Sequence, residues 1–337
     1  MRVQDIVLDE ERQDVINFLN RFKLDYEDDI DTTIALFEDN TIIATASSSA
    51  NIIKAIAIHE DYQGKNLLAT LMTEMIKRLA HKGIDHYFVY TLDEQVPLFK
   101  ALGFKPVVQT MTLSVLEGGR FIHDVLNALV EDYHISPYPK ACVVINANPM
   151  TLGHYYLIET AARENNDVLV FVVSEDRSVF PFEHRFNIVK KTCEAFDNVT
   201  VLPTRDYLVS YATFPKYFLK EETQIHEEHA LVDVLVFKTH YMKHFTITKR
   251  YVGEEPLSPM TAMYNQTMKK YLNDKLIIVP RLKHKQEIIS ASTVRRLLKI
   301  EALETVQPYV VPATYDYLQS KEGRDAIAKL KNHKTRH

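Results

Sequence analysis

A chain of 337 residues, 46% apolar and 25% charged, has the make-up of an ordinary globular protein and the length for two domains. A net charge of −5, with no sustained Lys/Arg run before the tail Lys329–His337, argues against a general nucleic-acid binder, and no apolar run approaches the length of a membrane span. Two cysteines, Cys142 and Cys193, are too few for a disulfide framework or a cysteine zinc site, and the fourteen histidines show no H-E-x-x-H spacing, so no metal-ligand set is expected.

The start Met1-Arg2-Val3-Gln4-Asp5 leads into acidic residues rather than a signal-peptide core, which implies a cytoplasmic protein. The pattern predicts a helix near Glu10 to Phe22, strands at 32–37, 41–47 and 52–58, and an amphipathic helix over 67–81. A strand at 87–91 follows, then the segment Val96 to Phe104, which closes on Leu102-Gly103-Phe104. This order, with Ile58-His59-Glu60-Asp61-Tyr62-Gln63-Gly64-Lys65-Asn66 after the central strand, resembles the GNAT acetyltransferase fold. In that family a loop of the pattern R/Q-x-x-G-x-G/A holds the pyrophosphate of acetyl-CoA. Here Gln63 and Gly64 match, whereas Asn66 and Leu68 stand where the pattern has Gly and Gly/Ala, and Leu adds bulk where a phosphate must approach. The departure weighs toward a domain kept for docking or stability over a working acetyl-CoA site.

Leu116-Glu117-Gly118-Gly119-Arg120 reads as a turn, Phe121–Tyr133 as a connecting helix, and Pro137 and Pro139 as breakers, so domains are expected at 1–117 and 140–337 with a linker at 118–139. In the second domain, strands at 141–145 and 168–173 alternate with helices at 154–164 and 183–195, and strand-like runs follow at 199–202, 231–237 and 276–279. The alternation predicts an α/β domain with a parallel sheet and ligands at the carboxyl ends of its strands. Cys142, at the head of an apolar strand, is simplest as a core residue.

The strand at 141–145 runs directly into Asn146-Ala147-Asn148-Pro149-Met150-Thr151-Leu152-Gly153-His154, and the helix after it opens near Gly153. Free backbone N–H groups and the positive dipole end at such a start favour a phosphate. Thr151 and His154 can face that anion with a hydroxyl and an imidazole; taken alone, His154 is equally a polar residue near a helix start. A second hydroxyl-rich helix start, Ile289-Ser290-Ala291-Ser292-Thr293-Val294-Arg295, is by itself an ordinary N-cap with a solvated Arg.

Together, Asn-x-Asn with T-x-G-H and the later I-S-x-S-x-x-R resemble the nucleotidylyltransferase superfamily. The wording N-A-N-P-x-T-L-G-H, the segment Arg250-Tyr251-Val252-Gly253-Glu254-Glu255-Pro256-Leu257-Ser258-Pro259-Met260-Thr261-Ala262-Met263-Tyr264-Asn265, and I-S-A-S-x-V-R narrow it, with the added N-terminal domain, to the citrate lyase ligase family over nearly the whole chain. The resemblance implies a GNAT-like α/β domain followed by a Rossmann-like nucleotidylyltransferase domain. It also implies ATP and Mg²⁺, with acetate activated as acetyl-adenylate and passed to a thiol on the acyl carrier protein subunit of citrate lyase.

By the same resemblance His154, Thr151 and Arg295 are the catalytic candidates. Asn146, Asn148, Gly153, Arg185, Gly253, Glu254, Ser290, Ser292 and Thr293 are the nucleotide-binding ones. Arg185, in Phe182-Glu183-His184-Arg185-Phe186, reads nearly as well as a solvated helix residue. Acetate is already ionised at neutral pH, so the reaction needs no general base and His154 fits the role of donor. The aromatic stretch Arg205 to Phe218 suits either a cover over the site or core packing. An adenylyltransferase acting on a phosphorylated coenzyme precursor would use the same two motifs; Arg205 and Lys216 are the cations visible for its acceptor phosphate. A GNAT-type N-acetyltransferase is disfavoured by Asn66 and Leu68.

Overall fold

The computed structural model describes residues 1–174, 178–208, 222–255 and 259–332. These fall into two compact units, residues 1–124 with 222–228, and residues 125–208 with 229–332.

The first unit carries a seven-stranded sheet in the order β1-β2-β3-β4-β5-β7-β6. Its strands are β1 (Arg2–Asp5), β2 (Thr32–Glu38), β3 (Thr41–Ser49), β4 (Ile52–Ile58), β5 (His86–Thr91), β6 (Lys105–Gln109) and β7 (Ser114–Gly119). Helices α1 (Asp9–Asn20), α2 (Leu67–His81) and α3 (Val96–Ala101) complete it. The apolar stripe of α2, Leu67, Leu71, Met72, Met75 and Leu79, is buried against the strands. β4 and β5 are parallel but pair only at Ile52–Phe88 and Ile53–Val89, so the two strands diverge beyond that point. At the start of α2 Asn66 takes the left-handed conformation, φ 61°, and Leu68 packs against the core.

The turn expected at 116–120 is instead the end of β7. Gly118 and Gly119 let the backbone approach β5 closely: a Cβ at Gly118 would lie 2.4 Å from the Tyr87 ring, and one at Gly119 1.9 Å from the Asp85 carbonyl oxygen. Helix α4 (Ile122–Asp132) follows within the segment expected as a linker.

The second unit is built on a five-stranded sheet, β8 (Lys140–Ile145), β9 (Val168–Val172), β10 (Val199–Pro203), β11 (Ile247–Gly253) and β12 (Leu276–Val279). The order is β10-β9-β8-β11-β12 and every pair is parallel. All five residues of β9, V-L-V-F-V, are buried, as a strand covered on both faces requires. The chain moves from β8 to β9 through α5 (Leu152–Glu164) and to β10 through α6 (Phe182–Cys193), then returns to the other side of β8 with β11. The reversal makes the carboxyl ends of β8 and β11 the crevice where such sheets take ligands.

The strand expected at 231–237 is helical. Helix α7 (Glu222–Val236) passes through a π-helical turn (Phe237–Tyr241) into α8 (Met242–His244). A short apolar run does not reveal its period, and here helix formers on its amino-terminal side continue through it. The strand that the sheet uses in that region is β11, whose Thr248-Lys249-Arg250 lacks the apolar signature. After β11, α9 (Pro259–Leu272) leads to β12, and α10 (Ala291–Ile300) follows.

Candidate active site

The first motif bridges β8 and α5. Thr151 caps α5: its hydroxyl accepts the His154 N–H at 3.4 Å, while its own N–H donates to His154 Nδ1 at 3.0 Å. An Nδ1 that accepts a backbone N–H carries no proton, so the neutral ring keeps its proton on Nε2 as a donor. Burial, reinforced by the charges of Arg281 and Arg295, lowers His154 to about 4. His154 is therefore a neutral donor across the physiological range.

Between strand and helix the backbone turns sharply, with Ala147 at φ 50° and a cis bond before Pro149. Arg185 holds this turn from α6. Its Nη1 donates to Asn146 O at 2.7 Å, Asn146 Oδ1 at 2.8 Å and Val173 O at 2.9 Å, and its Nε to Phe180 O at 2.9 Å. At 1% exposure it is not a solvated residue. It touches the motif through Asn146, whereas Asn148 is fixed by accepting the Phe180 N–H at 3.2 Å.

The second motif docks on the first. Ser290 caps α10, accepting the Thr293 N–H at 3.0 Å, and its hydroxyl lies 2.9 Å from those of Ser292 and Thr293. A Cβ on Gly153 would lie 2.9 Å from Ile289 O, so the absence of a side chain there lets the start of α10 reach the start of α5. Arg295 Nη1 donates to Asn148 O at 2.5 Å. Among the described residues Arg295 has no carboxylate partner, and burial lowers its pKa from the ordinary guanidinium value.

A cavity of about 210 Å³ opens at the carboxyl ends of β8 and β11. Of the expected residues, Asn146, Gly153, His154 and Gly253 line it. Glu254 stands at its rim with an exposed side chain, its N–H on Val279 O at 2.8 Å and its carbonyl held by Arg281 Nε. Arg281 pairs with Glu255 at 2.6 Å. Pro256, Leu257 and Ser258 of the third motif segment, and residues 209–218 of the aromatic stretch with Lys216, lie outside the described residues. The described part of that stretch forms a short turn at Arg205–Tyr207 with Tyr207 buried.

Sequence reasoning missed Arg250, Tyr264 and Arg281 as lining residues. The signal for Arg250 was a basic residue beside Tyr251-Val252 in a run that pairs as a central strand, where the alternation that leaves Lys249 exposed buries Arg250, a position at which charge is costly without a purpose.

A family model described as the citrate lyase ligase C-terminal domain matches residues 140–318, and one for the acetyltransferase (GNAT) family matches residues 4–104. The chain is 33% identical to a [citrate [pro-3S]-lyase] ligase from Escherichia coli (strain K12) over 332 residues, covering 94% of each chain. It is 32% identical to a protein of the same name from Klebsiella pneumoniae over 94% of this chain and 95% of that one.

Proposed function

Because the chain belongs to the citrate lyase ligase family, we propose that it activates acetate with ATP and transfers the acetyl group to the thiol of the acyl carrier protein subunit of citrate lyase, switching that enzyme on. The observation that carries the reading is the joining of the two motifs: Arg295 donates to Asn148 O at 2.5 Å while Gly153 admits Ile289, so two helix starts, a neutral His154 and an Arg with no carboxylate partner among the described residues face one region.

In the first step a carboxylate oxygen of acetate attacks the α-phosphorus of ATP. The bond from that phosphorus to the bridging oxygen breaks, and pyrophosphate leaves with the electron pair. Negative charge grows on the α-phosphate oxygens and the leaving group, so the catalysis asked of the protein is electrostatic. His154 Nε2–H serves the α-phosphate, and no proton need be removed from acetate. Arg295, the N–H groups at the start of α10 and the hydroxyls of Ser290, Ser292 and Thr293 serve the β- and γ-phosphates. Gly153 lets the start of α10 close on α5, and Gly253 lies against the Arg281 side chain, so both shape the wall that the nucleotide meets. Arg185 acts at one remove, as the residue that positions Asn146. Among the described residues no group of three or more His, Cys, Asp or Glu could hold a metal ion, so Mg²⁺ would be carried by the nucleotide itself and would supply charge neutralisation at its phosphates.

In the second step the carrier thiolate attacks the acetyl carbonyl, the carbon–oxygen bond breaks and AMP leaves. Cys142 and Cys193 are buried, and burial pushes both thiols up to about 12, which suits an acceptor thiol from the partner rather than from this chain. A supply of ATP and reduced thiols places the reaction in the cytoplasm; among the described residues no helix is long and apolar enough to cross a membrane.

The test is ATP–pyrophosphate exchange with Mg²⁺, with and without acetate, on the wild type and His154→Ala. Exchange that needs acetate and is lost in the variant supports the reading. Exchange with a phosphorylated coenzyme precursor in place of acetate would overturn it.

A further inference from the structure

Arg250 lies in β11 with 3% exposure, on the sheet face opposite α5, whereas the neighbouring Tyr251 packs with the α5 core. Its guanidinium carbon sits 4.2 Å from the centroid of the Phe237 ring, and Nη2 donates to the Tyr264 hydroxyl at 3.3 Å. Tyr264 in turn donates to Asp233. The remaining donors, Nε and Nη1, are out of solvent and have no hydrogen-bond partner among the described residues. Buried donors are almost always satisfied, and a guanidinium has no acceptor capacity of its own, so an acceptor that arrives with a ligand is the simplest account of both.

Arg250 and Tyr264 line the same cavity as His154 and Gly153. Val144, Val252 and Met268 make up an apolar part of its wall. Resting on the acyl-adenylate reading above, we propose that this end of the cavity is the organic-acid subsite. Arg250 receives one carboxylate oxygen of a short monocarboxylate such as acetate, and the apolar wall takes its methyl group. The other oxygen stays free to attack the α-phosphorus beside His154. Tyr264 and Asp233 orient the guanidinium and temper its charge. Once the phosphorus–oxygen bond has formed and pyrophosphate has left with the electron pair, the acyl oxygens of the mixed anhydride carry no charge, so Arg250 holds acetate more strongly than the acetyl group of the adenylate. Its contribution is thus to acetate binding, and its loss is read in KM for acetate.

The experiment measures acetate-dependent ATP–pyrophosphate exchange on the full chain for the wild type, Arg250→Gln, Arg250→Lys and Tyr264→Phe, with KM determined separately for acetate and ATP and folding checked by thermal melting. Arg250→Gln is expected to raise KM for acetate about 10-fold or more, the loss of a hydrogen bond to a charged group, with KM for ATP within about twofold. Arg250→Lys and Tyr264→Phe are expected to give smaller rises with the same selectivity for acetate, and they decide the matter if the Gln variant does not fold. An unchanged KM for acetate in folded variants, or equal rises for acetate and ATP, overturns this assignment and leaves the acyl-adenylate reading standing. Exchange by the wild type that ignores acetate overturns both.

Discussion

Arg295 and Asn148, 147 residues apart in sequence, are joined by a hydrogen bond from the guanidinium to the Asn148 carbonyl at 2.5 Å. The bond ties α10 to the turn after β8, yet it leaves most of the Arg295 fork without a partner among the described residues, and the cation is only partly exposed. A side chain arranged this way serves a ligand more than the fold. Arg295→Ala is expected to lower kcat/KM for ATP in the exchange assay by roughly 10- to 100-fold, the worth of a charge-assisted hydrogen bond or two, while unfolding in urea shows a loss of no more than about 1 kcal/mol. A large stability loss with unaltered exchange would reassign Arg295 to the scaffold.

His154 links the site to pH. Its pKa falls from 6.5 in the unfolded chain to about 4 in the folded one. Between those values the unfolded state binds the extra proton, so folding stability is fully present above pH 6.5 and is lost as the pH drops toward 4. The shift corresponds to at most roughly 3 kcal/mol, since each unit is worth about 1.4. Urea titrations of the wild type and His154→Gln at pH 7.5 and pH 4.5 should show the wild type losing ground to the variant at the lower pH. An exchange rate that switches off around pH 6.5 in the wild type would contradict a ring that is neutral there.

Gly153 is constrained by its neighbour rather than by its own backbone angles. Its missing Cβ would sit 2.9 Å from the Ile289 carbonyl, and a carbonyl in a helix start cannot swing aside as a side chain does. Gly153→Ala is expected to push α10 away from α5. Overpacking of this kind costs about 1–3 kcal/mol, and its effect on exchange should exceed its effect on melting. Full activity in the Ala variant would show that the two helix starts need not touch.

The parts of the site that were legible in the sequence are local ones. Asn146, Thr151, Gly153 and His154 fall within nine residues of one strand-turn-helix, and Ser290 to Arg295 within a single helix start. Chain pattern alone places such groups beside one another. Arg250 was not legible, because its role depends on which face of β11 it occupies and on α7, whose run Leu231–Phe237 has the composition of a strand. Gly118 and Gly119 misled for a related reason: the same pair that marks a turn also permits a close approach between strands, and only Tyr87 and Asp85 across the sheet decide between them. The sheet order is equally non-local, since β11 returns to β8 after more than a hundred residues.

Arg185 carries a prediction opposite to that for Arg295. Its guanidinium is buried and spent on the carbonyls of Asn146, Val173 and Phe180 and on the Asn146 side chain. Arg185→Ala strands several buried acceptors at once and is expected to cost on the order of 3–5 kcal/mol in urea unfolding. Arg185→Lys should restore little, because a single ammonium cannot reproduce the spread of a planar fork. Any fall in exchange should then follow the loss of fold. A variant of wild-type stability that fails to bind ATP would make Arg185 a phosphate ligand.

The cysteines test where the acyl group goes. Cys142 and Cys193 are fully or nearly fully buried, at 0% and 3% exposure, and burial pushes both thiols to about 12, far from the thiolate that reacts. Iodoacetamide at pH 8 is expected to leave the native protein unmodified and its exchange activity intact, and to alkylate both residues once urea has unfolded the chain. With ATP and labelled acetate but no acceptor, the label should remain as adenylate and never as a thioester of this chain. A label resistant to acid precipitation but released by hydroxylamine, and absent from Cys142→Ala or Cys193→Ala, would mean that one of these thiols opens to the site and carries the acetyl group itself.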